Sequence, residues 1–371
     1  MSSGVAELPL HGGRAPQWLV KRMSKLARAI VGIIVEEYGK EEVLRRISDP
    51  YWFQAFGCVL GYDWHSSGVT TVVTGVLKTV LNQEDLGIAV CGGKGRRALE
   101  TPKEIESLAD KFSFTDSKVR ELKRASFLAA KVDNAVLQDG YSLYHHTIFI
   151  TENGEWGIIQ QGMNPETKYA RRYHWLKDEL GSFVVEPHRA VVGRAERCVL
   201  NMVAIDSEGA RKASVDLVKE GAKKVAYLIS RLEGQTTLDE WIAGKGPEVR
   251  SFKHLKMPWR INWEILKKAY ELQPRNYEEL VSIRGVGPSL IRALALISSI
   301  IYGEEPSWRD PVKYSFAFGG KDGVPFPVRT KDMDKAIELL EESIRMAELG
   351  EKERLNALRR LRVMVEGSEK G

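Results

Sequence analysis

Apolar residues recur near a 3.6-residue period from 16 to 47, PQWLVKRMSKLARAIVGIIVEEYGKEEVLRRI, with charges on the other side. That spacing predicts amphipathic helix. Residues 49–81 are richer in aromatic and apolar side chains and are expected to be buried. GIAVCGGKGRR, 87–97, reads as a short strand running into a glycine-rich basic loop. At 101–112, Thr101 is the expected N-cap, with Pro102 at the first helical position. Residues 117–138 again carry a helical period. On that helix Leu128, Ala129, Val132, Ala135 and Val136 gather on one side, and Lys131, Asn134 and Gln138 form an adjacent stripe. Asp133 falls on the other flank, and Asp139-Gly140 ends the helix.

The clearest alternation of apolar and polar residues is LYHHTIFITENGEWGIIQQGM, centred on Asn153-Gly154. It predicts a hairpin over 143–163 with a two-residue type I′ turn. That turn would pair Thr151 with Trp156, Phe149 with Ile158, and His146 with Gln161. His145 would then face the opposite side from His146. ARRYHWL and SFVVEPHRAVV follow, the second expected as a strand. Residues 205–255 are charged and partly helical. Residues 262–303 read as helix, turn, helix. Residues 308–328 are an ordered loop, and 331–366 a charged amphipathic helix pair. The expected fold is α+β and helix-rich, with a small antiparallel sheet around the 143–163 hairpin and an all-helical C-terminal part. The corresponding domain boundaries are 1–204 for a catalytic domain, 205–260 for a connector, 261–305 for a helix-hairpin-helix, and 306–371 for the loop and final helices.

Within the C-terminal part, SIRGVGPSLIRALALIS spans 282–298. Asn276 is a good N-cap, with Glu279 three residues on. Gly285 and Gly287 permit a tight turn and close backbone approach to a ligand. Val286 can tuck between the helices. Pro288 suits the first helical position, and the free N–H groups beyond it favour an anion. This is the physics of a phosphate clamp, with Gly285, Val286, Gly287, Ser289 and Arg292 as contacts. The run resembles the helix-hairpin-helix motif, although Ile291 stands where that motif usually has a small alanine. The plainer reading is a glycine turn between two packed helices.

Composition adds bounds. The chain has 371 residues, enough for two or three domains. It is 43% hydrophobic and 28% charged, as expected of a globular protein. No apolar run approaches the ~18 residues of a membrane span. The N-terminus lacks the basic start and apolar core of a signal peptide, so a cytoplasmic location is expected. Three scattered cysteines, Cys58, Cys91 and Cys198, give no disulfide framework and exclude a four-thiolate zinc site. A net charge of +5 and a pI near 8.9 permit a polyanionic partner without demanding one.

Candidate chemistry concentrates between His65 and His188. Asp63, His65, Asp133, Asp139, His146 and Glu186 are the ligands available for Mn²⁺ or Mg²⁺, since hard cations accept carboxylates and Mn²⁺ tolerates imidazole. Lys131 would stabilise charge on a phosphate, and a histidine would act as general base, with Gln161 facing His146. Arg171, Arg172 and the loop bearing Lys94 and Arg96 would guide a strand in. Taken singly, each piece has a structural reading. A histidine beside tryptophan is more often packed, an Asp before Gly more often a turn. GGKGRR lacks the spacing of a P-loop.

DWHSSG, KVDNAVLQDGY, LYHH, QQGMN, ARRYHW, RGVGP, RALAL and FAFGGKDGVPFPV together resemble the prokaryotic, largely archaeal "domain of unknown function 763" family, over about residues 5 to 345. The resemblance implies one compact unit and suggests a nucleic-acid-processing role. The leading expectation is a metal-dependent nuclease that holds DNA, more readily than RNA, through the helix-hairpin-helix. The alternatives are a non-catalytic DNA-binding or repair-scaffold protein, and a small-molecule phosphoesterase or phosphotransferase using GGKGRR. No membrane partner is expected, and a homodimer is compatible with the sequence.

Overall fold

A computed structural model describes residues 8, 15–62, 67–229, 261–312, 338, 340–346 and 350–369. The first helical layer is α1 (Gln17–Tyr38), α2 (Lys40–Ser48), α3 (Pro50–Val59) and α4 (Gly68–Gln83). The expected continuous helix over 16–47 is broken at Gly39, whose φ of 88° takes the chain out of the helical region. Asp49 caps α3 by accepting from the Tyr51 and Trp52 N–H groups at 2.9 Å.

The sheet has five antiparallel strands in the order β1 (Ile88–Lys94), β3 (Ser142–Thr151), β4 (Trp156–Asn164), β5 (Tyr169–Leu176), β6 (Ala190–Val192). Between β1 and β3 come α5 (Arg96–Leu99), α6 (Thr101–Phe112) and α7 (Asp116–Lys131). Then follow a π-helical turn at Val132–Val136 and β2 (Leu137–Gln138), which pairs with β7 (Leu200–Asn201). The helix expected to run to 138 therefore stops at 131. Beyond β7 lie α8 (Glu208–Glu220), α9 (Trp263–Leu272), α10 (Tyr277–Ser282), α11 (Pro288–Tyr302) and α12 (Glu351–Glu369). The fold is helix-rich α+β with a small antiparallel sheet.

Each face of the sheet packs on its own apolar core. Ile88, Val90, Phe149, Ile159 and Leu176 meet α1–α4, joined by Ala357 and Leu361 of α12. Ala89, Cys91, Ile148, Ile150, Ile158, Tyr173 and Trp175 meet α6–α11. Val286, Leu290 and Ile291 of the glycine hairpin belong to that second core, together with Val132 and Val136. Core packing is thus continuous across residue 204.

The hairpin register differs from expectation by one residue. Ile150 pairs with Trp156, Ile148 with Ile158, His146 with Gln160, and His145 with Gln161. The cause is a longer turn. Thr151 N–H donates to Glu155 C=O at 2.9 Å, which leaves Glu152, Asn153 and Gly154 in a three-residue loop with Gly154 at φ 77°. SFVVEPHRAVV also contributes only its last residues, Ala190–Val192, as strand.

Gly92, opposite Thr147, has φ 95°, and a Cβ there would lie 2.3 Å from the His146 carbonyl oxygen. Gly92→Ala is expected to cost at least about 2 kcal/mol, from the strained φ plus the clash. Urea unfolding measures it, and a loss below roughly 0.5 kcal/mol would contradict the strand geometry.

Candidate functional site

The strand alternation sends His146, Gln160, Tyr173 and Trp175 to the α6–α11 side of the sheet. There they meet Asp133, carried inward on the π-helical turn and fully buried. Such turns recur at functional sites. Gln160 Nε2 donates to Asp133 Oδ2 at 2.5 Å, and Trp175 Nε1 donates to the same oxygen at 2.9 Å. His188 Nε2 donates to Asp133 Oδ1. Because the Gln160 amide nitrogen faces the carboxylate, its oxygen accepts from His146 Nδ1 at 2.8 Å. That leaves His146 Nε2 to accept from Ser126 Oγ, also at 2.8 Å. A single chain of hydrogen bonds runs Ser126–His146–Gln160–Asp133–His188. Burial lowers the His146 pKa, so the ring is neutral.

Asp139 lies in a second cluster. Its Oδ2 accepts from Arg171 Nη1 at 2.9 Å and from the Tyr173 hydroxyl at 2.7 Å. Arg171 Nη2 also donates to Asp310 at 2.6 Å and to the Arg194 carbonyl at 2.5 Å. Asp310 in turn accepts from the Glu196 N–H at 2.6 Å. This cluster ties the loops near 139, 194 and 310 to β5.

On the α1–α4 side, His145, Gln161 and Arg172 form one cross-strand row, with His174 two residues along β5. Gln161 Oε1 accepts from Thr70, and its Nε2 donates to the Tyr144 hydroxyl and to the Ser67 carbonyl at 2.9 Å. His145 Nε2 meets Thr74 Oγ1 at 3.0 Å. Arg172 contacts His174, Thr70 and Gln54. Burial pushes the His145 pKa from 6.5 down to about 3 and the His174 pKa well below the usual range.

The sequence-predicted residues are therefore dispersed. Asp133 and His146 are joined through Gln160, but Asp139 belongs to the Arg171 cluster. Glu186 is exposed, with φ 43°. Gln161 does not face His146, because the register shift sends it to the other side of the sheet. Asp63 and His65 lie outside the described residues. Among the described residues, no group of three or more His, Cys, Asp and Glu stands ready to hold a metal ion. Arg171 and Arg172 are both buried at 0% exposure, so neither guides a strand across the surface. Lys94 and Arg96 are exposed, and Lys94 Nζ lies 5.7 Å from the Tyr144 ring centroid. Lys131 is half-buried, with Nζ 5.5 Å from the Phe127 ring centroid and its pKa lowered by burial.

The glycine hairpin forms as its residues require. Asn276 caps α10, its side chain accepting from the Glu279 N–H at 2.9 Å. Gly285 has φ 103°, and a Cβ there would meet Ile265 Cδ1 at 2.4 Å. Val286 is fully buried between exposed Gly285 and half-exposed Gly287. Ser289 is exposed, whereas Arg292 is half-buried and donates from Nε to Gln138 Oε1 at 2.9 Å. Sequence reasoning missed Ser126, Thr70, Thr74, Gln54 and Asp310. One signal was available: Thr70, Thr74 and Lys78 recur every fourth residue along one stripe of 68–83.

His145, His146 and His174 are neutral when folded and titrate near 6.5 when unfolded. Their contribution is complete above about pH 6.5 and is lost as pH falls towards the folded pKa, by about 1.4 kcal/mol per pH unit per ring. His145→Gln should therefore flatten the loss of stability between about pH 6.5 and 4 relative to wild type. Urea midpoints across that range check it, and parallel curves for the two proteins would refute a neutral buried His145.

No curated protein and no solved structure matches the chain. A family model does match, over residues 4–328, and its description is "Protein of unknown function (DUF763)". That match takes in both polar faces of the sheet and the glycine hairpin, and it places the chain in the DUF763 family.

Proposed function

We propose that this chain is a nucleic-acid-processing protein that grips the sugar–phosphate backbone of DNA through the α10–α11 hairpin, acting as a helix-hairpin-helix. The observation that carries the reading is the start of α11. Pro288 occupies the first turn, no side chain caps it, and the first intrahelical bond is Ile291 N–H to Gly287 C=O at 3.1 Å. The N–H groups of Ser289 and Leu290 precede that bond and have no acceptor within the helix. They lie at the positive end of a 15-residue helix, beside exposed Ser289 and a turn with no Cβ at Gly285 or Gly287. Contacts of this kind position a protein on phosphate without reading sequence.

Of the two forms this role can take, the described residues support a binding platform better than a metal-dependent nuclease. Both Asp133 oxygens already accept hydrogen bonds in a fully buried setting. Asp139 is committed to Arg171 and Tyr173. A cation of the Mn²⁺ or Mg²⁺ type needs oxygens it can reach.

DNA affinity should fall with salt, with a log–log slope of about −0.9 per phosphate contacted. Ser289→Glu should weaken binding about tenfold or more by placing a like charge at the α11 amino end. Fluorescence anisotropy with a duplex oligonucleotide measures both, and salt-independent binding or an unaffected Ser289→Glu variant would remove the hairpin from the interface. The same samples incubated with Mn²⁺ or Mg²⁺ test hydrolysis. Metal-dependent cutting that disappears in Asp133→Asn, with affinity retained, would replace the platform reading with the nuclease.

A further inference from the structure

Arg171 and Arg172 are neighbours in sequence and point to opposite sides of the sheet. Each is fully buried, and a buried charge is costly unless paired. Arg171 has two carboxylates and a carbonyl at 2.5–2.9 Å. Among the described residues, Arg172 has neutral acceptors only: His174 Nε2 at 2.9 Å, Gln54 Oε1 at 3.2 Å and Thr70 Oγ1 at 3.4 Å. The last two are at or beyond the long end of the hydrogen-bond range. Three contacts also leave two of the five guanidinium N–H donors unused. The Phe53 ring, with its centroid 4.7 Å away, offers partial negative charge and no formal one. Among the described residues no carboxylate reaches Arg172. Burial lowers its pKa to about 9, which still leaves it protonated near neutral pH.

The surroundings raise the positive potential further. Thr70 is the third residue of α4, a 16-residue helix whose N-cap, Ser67, makes no side-chain capping bond. The positive end of that helix dipole therefore adjoins the guanidinium. The nearby imidazoles are neutral and supply no counter-charge. His145 Nδ1, in the same cross-strand row, is buried without a hydrogen-bond partner. Gln161 of that row donates to the Tyr144 hydroxyl, and exposed Lys94 has its Nζ 5.7 Å from the Tyr144 ring centroid.

We propose that Arg172 and the amino end of α4 form a binding site for a small oxyanion of the phosphate class. The anion supplies a counter-charge that no described residue gives Arg172, and the Arg172 fork suits a tetrahedral oxyanion. Lys94 attracts it at the surface. The proposal is independent of the DNA reading, because the site lies on the opposite side of the sheet from the hairpin.

The test is thermal unfolding of the full chain with inorganic phosphate, against chloride at equal ionic strength. Wild type should gain roughly 3–5 °C at about a hundredfold excess over the dissociation constant. Arg172→Met should fold at least as well as wild type without phosphate, because an uncompensated charge is removed, and should gain nothing from phosphate. If Arg172→Met does not fold, calorimetric titration of wild type decides: one saturable phosphate site supports the proposal, and no saturable heat overturns it. Equal phosphate gains in wild type and Arg172→Met also overturn it. So does a strong loss of stability in Asp63→Asn that Arg172→Met reverses, which would make the counter-charge the chain's own. A 5′-phosphorylated dinucleotide run beside its 5′-hydroxyl form separates the sources. Stabilisation by the phosphorylated form assigns the site to a nucleic-acid end, and stabilisation by inorganic phosphate alone assigns it to the free ion.

Discussion

The length of the turn at Glu152–Gly154 governs which side chain each strand residue meets. Strand side chains alternate with a period of two, so a one-residue slip of β4 against β3 moves whole rows at once. With the three-residue loop, His146 stands opposite Gln160 and His145 opposite Gln161. A two-residue loop would set Gln160 opposite Thr147 and break the chain from Ser126 to Asp133. The helices on each side are matched to the observed register. Ser126 and Asp133 wait on one face, Thr70 and Thr74 on the other. Glycines reinforce it where backbones crowd: a Cβ on Gly162 would lie 2.9 Å from Tyr141 Cβ, and one on Gly157 would lie 2.9 Å from Ser48 Oγ.

A polar seam through the middle of a sheet is expensive unless every member is satisfied. On the α6–α11 face that condition is met at Asp133, whose two oxygens take three donors. A carboxylate so engaged orients its neighbours, and any chemistry there begins by breaking hydrogen bonds. On the α1–α4 face the condition is not met among the described residues, because a guanidinium is buried among neutral groups. The two faces thus differ in charge logic although they share strands and alternate residues. The apolar cores on either side carry the stability that this arrangement draws on.

Much of this was legible in the residues. The 3.6-residue period located α1, α2 and α7, Thr101 and Pro102 located α6, and alternation located β3 and β4; 49–81 was legible as buried but not as the helices α3 and α4. The glycine pair with Asn276 and Pro288 located the α10–α11 hairpin. The register was not legible, because Asn-Gly fits both a two-residue turn and the last positions of a three-residue loop. Nor was the π-helical turn, since Val132 and Val136 keep an apolar spacing that suits an ordinary helix. That extra residue carries Asp133 inward, and Asp133 was read on the flank. Arg171 and Arg172 were read as surface cations because arginine is rarely fully buried. Among the described residues, Asp139 and Asp310, 32 and 139 residues away, supply the carboxylates that pair Arg171 inside. Separations of that length leave no local pattern in a single chain.

The Gln138 amide of β2 joins the hairpin to the π-helical turn. Gln138 donates from Nε2 to the Pro288 carbonyl at 2.9 Å and to the Ala135 carbonyl at 3.0 Å, and its Oε1 accepts from Arg292. Arg124 of α7 adds an ion pair to Glu278 of α10. Contact of this kind does not by itself make two sites communicate. It does fix orientation. The first turn of α11 is held against the segment that bears Asp133, with exposed Asn134 on the same turn. A backbone seated on the Ser289 and Leu290 amides would therefore lie beside the π-helical turn. Since Val286, Val132 and Val136 share one core, that placement cannot shift without repacking the interior.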